Sequence, residues 1–250
     1  MQSHNILQTR VHATTYPSAS NLICSWAQAR ESRYVCAANV HMVMEAYDDA
    51  VFSAAINEAD LVTSDGMPLV WTLKRLGAKE ATRVYGPDLM LAVCEQAERD
   101  GIAIGLYGGR VDGFDALETF LLKRFPNLKI AFHEAPPFRP LYDEEDEATI
   151  KAINESDTGI LFVALGCPKQ ERWMAQRRGQ INSVMIGVGM AFDIYAGAVK
   201  QAPKWMQKSG LEWLYRLTQD PKRLWKRYAV HNPRFVLLVL WQLLRGKLGT

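Results

Sequence analysis

Cysteine is scarce in this 250-residue sequence, and no long hydrophobic run is present. The four cysteines, at 24, 36, 94 and 167, form no C-x-x-C pair and share no metal-ligand spacing with the five histidines. Neither a disulfide framework nor a zinc site is therefore suggested, and a reducing cytoplasm suits the chain. The stretch Phe235 to Leu244, apolar except for Gln242, has ten residues, about half of what a helix needs to span a bilayer. No G-x-G-x-x-G follows the first predicted strand with an acidic residue closing the next, which counts against a nicotinamide-dependent dehydrogenase. Internal repeats and low-complexity segments are also missing. The N-terminus lacks a basic segment followed by an apolar run, so no secretory signal is expected, and residues 1–18 are expected to be a loosely held tail.

What is present is core material. Hydrophobic residues make up 48% and charged residues 22%, enough for one large or two small globular domains. The net charge of +2 hides an asymmetry: Lys200 to Thr250 holds eleven Lys and Arg against two acidic residues, leaving −7 for the remainder. Four of the seven tryptophans, at 205, 213, 225 and 241, fall in the same last fifth. A basic, aromatic tail on an acidic body points to an anionic partner surface, lipid or nucleic acid.

Short buried strands alternate with amphipathic helices. Strands are predicted at 33–38, 61–63, 102–107, 128–132, 160–165 and 184–188, with helices at 21–32, from about 42 to 58, from Met67 to near Gly77, and at 87–100, 111–125, 144–156 and to about 178. The Pro136 to Pro140 loop is stiff punctuation between two of them. This alternation predicts an α/β, Rossmann-like fold with a mostly parallel sheet and helices on both faces. Beyond a boundary near Gln201 to Pro203, helices are predicted at 210–218, at 221–231 and from Pro233. The expected division is a catalytic domain over 1–204 and a basic, aromatic helical appendage over 205–250.

Several residues could carry chemistry. Asp65, in Ser64-Asp65-Gly66-Met67-Pro68, follows a strand and precedes a helix, a place for either a catalytic carboxylate or an N-cap. Gly108-Gly109, Gly166-Cys167-Pro168 and Gly187-Val188-Gly189 end strands with small residues that serve either a diphosphate cradle or a tight turn. Lys169, Gln170 and Glu171 share a first helical turn, as binding groups or as a solvated helix start. Arg83 offers a bidentate contact to a phosphate or carboxylate, and equally a surface ion pair; Asp193 is a further strand-end carboxylate, for binding or for bracing a loop. Cys167 has no histidine placed beside it and reads as a small turn residue. In the C-terminal part, Lys222, Lys226, Arg223 and Arg227 form an i,i+4 basic stripe beside Leu224, Trp225 and Tyr228. That suits a helix lying in a membrane interface, with core packing or a dimer interface as the alternative; no nucleic-acid recognition fold is evident.

Taken together, these motifs resemble the WecG/TagA/CpsF bacterial glycosyltransferases, glycosyltransferase family 26. The resemblance is carried by Asn39, Ser64-Asp65-Gly66-Met67, Arg83-Val84-Tyr85-Gly86-Pro87-Asp88, Tyr107-Gly108-Gly109, Gly166-Cys167-Pro168-Lys169-Gln170-Glu171, Gly187-Val188-Gly189, Phe192-Asp193 and Gly210-Leu211-Glu212-Trp213-Leu214-Tyr215-Arg216. It implies an inverting transfer without metal or cofactor, from a UDP-sugar to a polyprenyl-diphosphate-linked saccharide, in cell-surface or exopolysaccharide biosynthesis. The sugar implied is N-acetylmannosamine, its uronic acid or glucose. The place of action implied is the inner face of the cytoplasmic membrane, held peripherally through 205–250. By the same resemblance Asp65 is the general base; Asn39, Arg83, Asp88 and Gln170 line the site; the glycine turns receive the diphosphate; and Arg216, Arg223 and Arg227 stabilise the leaving group. Ala37 and Met190 stand where many members have threonine and glycine, so the sugar is not fixed by the resemblance. A non-catalytic nucleotide-sugar-binding or scaffolding subunit is the alternative reading, and a homo-oligomer is one option for its assembly.

Overall fold

Alternating buried strands and helices take shape, in a computed structural model describing residues 1–137, 139 and 142–248, as an α/β fold built on a six-stranded sheet. Phe138, Pro140 and Leu141, within or beside the proline-rich loop, lie outside the described residues. In chain order the elements begin with β1 (Ser3–Ile6), β2 (Thr9–His12), α1 (Tyr16–Gln28), β3 (Arg33–Ala38), α2 (Val40–Asp48), α3 (Ala50–Asn57), β4 (Leu61–Ser64), α4 (Met67–Arg75) and α5 (Gly86–Asp100). They continue with β5 (Ile104–Gly108), a 3-10 turn (Val111–Gly113), α6 (Phe114–Arg124), β6 (Ile130–Glu134), α7 (Asp143–Glu155), β7 (Ile160–Ala164), α8 (Lys169–Arg177) and β8 (Val184–Gly187). The last four are α9 (Ala191–Tyr195), α10 (Lys204–Lys208), α11 (Glu212–Gln219) and α12 (Pro221–Leu248). The hydrogen-bonded order is β4-β3-β8-β7-β5-β6, and the pairings of β3 with β8, β8 with β7, β7 with β5 and β5 with β6 are all parallel.

Contacts divide the chain into two units, one of residues 16–36 and 86–200 and another of residues 1–15, 37–85 and 201–250. In the first, β7 and β8 are continuous apolar strands with almost every residue buried, as expected for parallel strands covered on both faces. Helix α1 packs on β7, β8 and α5, and α8 packs on β8.

The second unit corrects the expectation of a loose N-terminal tail. Residues 3–12 form an antiparallel hairpin, with Ile6, Thr9 and Val11 fully buried. Its polar residues are used: Arg10 donates to the backbone carbonyls of Asn57 (2.7 Å) and Ala59 (2.9 Å), and His12 Nδ1 accepts from Val62 N–H at 3.0 Å. The predicted helix over 42–58 is two helices, because Asp49 ends α2 and caps α3, accepting from Phe52 N–H at 2.9 Å.

The two predicted helices around Pro233 are instead one, α12, of 28 residues with the proline inside. A proline there forfeits one intrahelical bond. The helix continues because its contacts to the same unit run past the break: Phe235 and Val239 are buried, Arg234 forms a two-point ion pair with Asp48 (2.5 and 2.6 Å), and Gln242 accepts from Leu7 N–H and donates to Asn5 C=O. Among the described residues no helix is long and apolar enough to cross a membrane.

Candidate active site

The site of the second unit is assembled around the end of β4. Leu61 to Ser64 are all buried, and the chain turns at Asp65, whose N–H donates to Ala38 C=O at 2.8 Å. The N-cap of α4 is Gly66, not Asp65, and Pro68 occupies the first turn, where a missing N–H is tolerated. Segment 82–84 is laid alongside β4 by Ser64 Oγ donating to Thr82 C=O (2.9 Å), Thr63 Oγ1 to Val84 C=O (3.2 Å) and Val84 N–H to Ser64 C=O (2.9 Å). These bonds deliver Arg83 to Asp65: its Nε donates to the Asp65 backbone carbonyl, and its guanidinium lies 3.5 Å from the carboxylate.

Arg83 is held on three further sides. It donates to Glu212 at the start of α11, stacks over the Tyr85 ring with 4.3 Å to the centroid, and lies 3.5 Å from Gln207 Oε1. Glu212 also receives Arg216 at 2.5 Å, and Arg216 donates to the Tyr85 hydroxyl at 3.1 Å. Burial opposes the charge on Arg83, but the carboxylates of Asp65 and Glu212 outweigh it and raise its pKa. Burial likewise opposes Arg216, which Tyr85 and Glu212 keep charged. Burial would raise the Glu212 carboxyl; Arg216 and Arg83 hold it below the usual range. The result is a chain of alternating charge, Asp65–Arg83–Glu212–Arg216.

This chain forms a polar part of the lining of a cavity of about 990 Å³, which also includes Asn39 and Arg227. The rest is largely apolar, with Trp71, Trp213, Trp225, Phe235 and Leu237 among its walls. Asn39 caps α2, accepting from Met42 N–H at 3.2 Å. Of the sequence candidates, therefore, Asn39, Asp65, Arg83, Arg216 and Arg227 meet in one cavity. Arg223 stands on the exposed side of α12, paired with Asp220 at 2.6 Å. Glu212, Tyr85 and Gln207 were missed as site residues. The i,i+4 spacing of Glu212 and Arg216 was the available signal; nothing local announces Gln207.

The other candidates belong to the first unit. Gln170 and Glu171, far from forming a solvated helix start, are buried at 4% and 0% exposure, while Lys169 is exposed. The Gln170 side-chain oxygen accepts from Gly166 N–H and Gly189 N–H, both at 3.2 Å, so one amide ties the turns after β7 and β8. Its nitrogen donates to Glu171 at 2.7 Å, and a Cβ on Gly187 would come within 2.8 Å of that nitrogen. Burial pushes the Glu171 carboxyl up to about 7. Gly108, at φ +107°, is required by packing, because a Cβ there would stand 2.6 Å from Ala164 O; at Gly109 it would strike Phe192. Asp193, with Arg110 and Asp112, borders a smaller cavity of about 390 Å³. Asp88 lies half-buried in the first turn of α5.

A parallel α/β sheet, with a carboxylate at a strand end set among arginines in a large cavity, is the framework of an α/β enzyme that binds an anionic ligand. The family model described as "Glycosyl transferase WecG/TagA/CpsF family" matches residues 4–249. N-acetylglucosaminyldiphosphoundecaprenol N-acetyl-beta-D-mannosaminyltransferases of Staphylococcus aureus strains MW2, NCTC 8325 / PS 47 and COL are each 32% identical over 198 residues, covering 79% of this chain and 76% of the relative. The chain belongs to the WecG/TagA/CpsF family and is a glycosyltransferase.

Proposed function

We propose that this enzyme transfers N-acetylmannosamine from a UDP-sugar to an N-acetylglucosamine carried on a polyprenyl diphosphate, in the assembly of a surface or secreted polysaccharide. The activity named for the relatives supports this sugar over its uronic acid or glucose. The observation that carries the reading is the cavity itself, whose lining joins the connected group Asp65, Arg83, Glu212 and Arg216 to a set of tryptophans and other apolar side chains. A lipid-linked saccharide has the same division, with a charged diphosphate and sugar at one end and a hydrocarbon at the other.

In this reading Asp65 is the general base that takes the acceptor hydroxyl proton as the oxygen attacks the anomeric carbon. The new glycosidic bond forms with inversion, the bond to the diphosphate breaks, and UDP leaves with the electron pair. Arg83 and Arg216 are charged, positioned donors for oxygen atoms gaining charge in that step, and no metal assists it. The exposed apolar residues of α12, with its basic side chains, hold the enzyme peripherally on the inner face of the membrane.

The test offers a panel of UDP-sugars with a short polyprenyl-diphosphate N-acetylglucosamine acceptor and identifies products by mass. UDP-N-acetylmannosamine is the expected donor, and added Mg²⁺ or Mn²⁺ leaves the rate unchanged. Asp65→Asn is expected to lower kcat by about 10²–10⁴-fold with little change in KM. A folded Asp65→Asn protein that transfers at the wild-type rate would remove Asp65 from this role.

A further inference from the structure

His41 and Glu45 stand one helical turn apart on α2, a spacing that places both side chains on one face. Helix α12 brings His231 against them. His41 Nδ1 lies 3.5 Å from Glu45 Oε1, and His231 Nε2 lies 3.9 Å from the same oxygen. One potential donor atom from each residue falls within 4.8 Å of the other two. The imidazole rings meet edge to face, with centroids 5.4 Å apart and planes at 79°.

Packing leaves this cluster incomplete. The Nδ1 atoms of both histidines are buried without a hydrogen-bond partner. An unmet buried polar atom costs about 1–3 kcal/mol, and one of these, His41 Nδ1, faces the Glu45 carboxylate.

We infer that His41, Glu45 and His231 form a binding site for a first-row divalent transition-metal ion, with Zn²⁺ as the type, which clamps α12 to α2. Ligand atoms at 2.0–2.1 Å in a tetrahedral zinc site are separated by about 3.4 Å; the two edges to Glu45, 3.5 and 3.9 Å, are close to that, and the third is within 4.8 Å, within reach of side-chain adjustment. Two imidazoles and a single carboxylate suit Zn²⁺, Co²⁺ or Ni²⁺ rather than Mg²⁺ or Ca²⁺, which prefer all-oxygen sets. An imidazole binds a metal through an unprotonated ring nitrogen, so metal binding here is expected to weaken as pH falls. Arg227 works against a cation, while Arg234 is already compensated by Asp48. His41 and His231 both line the large cavity, so the remaining coordination position faces it. The site ties down a wall of that cavity, independently of which sugar is transferred and of the role of Asp65.

The experiment uses the full chain, stripped by a chelator and dialysed. Zn²⁺ is titrated in competition with a chromogenic chelator, and Co²⁺ binding is followed by its visible spectrum. One Zn²⁺ per chain is expected, undisplaced by equimolar Mg²⁺, together with an intense Co²⁺ spectrum of low coordination number. His41→Gln and His231→Gln are each expected to weaken Zn²⁺ binding by roughly tenfold or more. Unchanged affinity in both variants, or weak Zn²⁺ binding with a pale six-coordinate Co²⁺ spectrum in the wild type, would overturn the site. The spectrum is read on the unmutated protein, so a variant that fails to fold does not rescue the inference.

Discussion

Arg83, positioned by β4, donates to Glu212 at the start of α11, across 129 residues of sequence. Both side chains are about 15% exposed or less. Glu212 also neutralises Arg216, so Glu212→Ala leaves two guanidiniums without their shared counterion. A fully buried pair broken in this way loses about 3–5 kcal/mol, and residual solvent reduces the expected loss here to about 1–3 kcal/mol. The same variant is expected to bind inorganic pyrophosphate on the order of tenfold more tightly, since an anion then meets two cations with only the Asp65 carboxylate, 3.5 Å from Arg83, left to oppose it. Urea unfolding and calorimetric titration measure the two effects, and weaker pyrophosphate binding would show that Glu212 is not a competing anion.

Two strand-end glycines separate tight packing from backbone conformation alone. Both have positive φ, +107° at Gly108 and +78° at Gly166, but an added Cβ meets Ala164 O at 2.6 Å in the first and nothing within 4 Å in the second. Gly108→Ala is expected to cost about 2–4 kcal/mol and Gly166→Ala about 1–2 kcal/mol, the second being the left-handed penalty by itself. Equal losses in thermal unfolding would mean that the Ala164 contact relaxes freely.

Much of the fold was legible because parallel strands buried on both faces read as short apolar runs. Ile160 to Ala164 and Val184 to Gly187 needed no other signal. Strand order was not legible: β8 lies between β3 and β7, and nothing local in 184–187 encodes that neighbour choice. The N-terminal hairpin was missed because its residues are mostly polar, with partners at Asn57, Val62 and Gln242 far along the chain. The Asp49 break was written in the sequence as an aspartate three residues before Phe52, a capping signal hidden inside an otherwise continuous helical pattern. At the site, Asp65 and Arg83 could be named from motifs. Glu212 lies in the motif from Gly210 to Arg216, and its i,i+4 spacing to Arg216 was the local signal, but its other partner, Arg83, is 129 residues away and nothing local announces it.

Helix α12 exposes Leu237 (68%) and Leu244 (62%) two turns apart on one side, with Trp241 between them. If this face enters a lipid interface, Leu237→Glu with Leu244→Glu is expected to abolish co-sedimentation with anionic vesicles while leaving thermal unfolding unchanged, since both positions are already in water. Wild-type binding should fall as salt rises, through screening of the basic residues. Equal sedimentation of the variant and the wild type would assign this face to something other than lipid.

Glu171 makes a prediction about pH whose sign follows from its burial. Desolvation raises the carboxyl from 4.5 to about 7 in the folded protein, so folding favours the protonated form. The contribution is fully present below pH 4.5, where both states are protonated. Between 4.5 and 7 the unfolded chain has released a proton that the folded chain retains, so stability falls as pH rises, and the loss is complete above the folded pKa. The full loss is on the order of 3 kcal/mol, and the part that falls between pH 5 and pH 8 is roughly 2–3 kcal/mol. Glu171→Gln keeps an oxygen for the Gln170 amide and never ionises, so it lacks this slope. Urea unfolding at pH 5 and pH 8 should therefore give a variant whose stability relative to the wild type increases by that amount at the higher pH. A difference that stays constant with pH would mean that Glu171 is already ionised in its buried site, with its charge balanced by the surrounding hydrogen bonds.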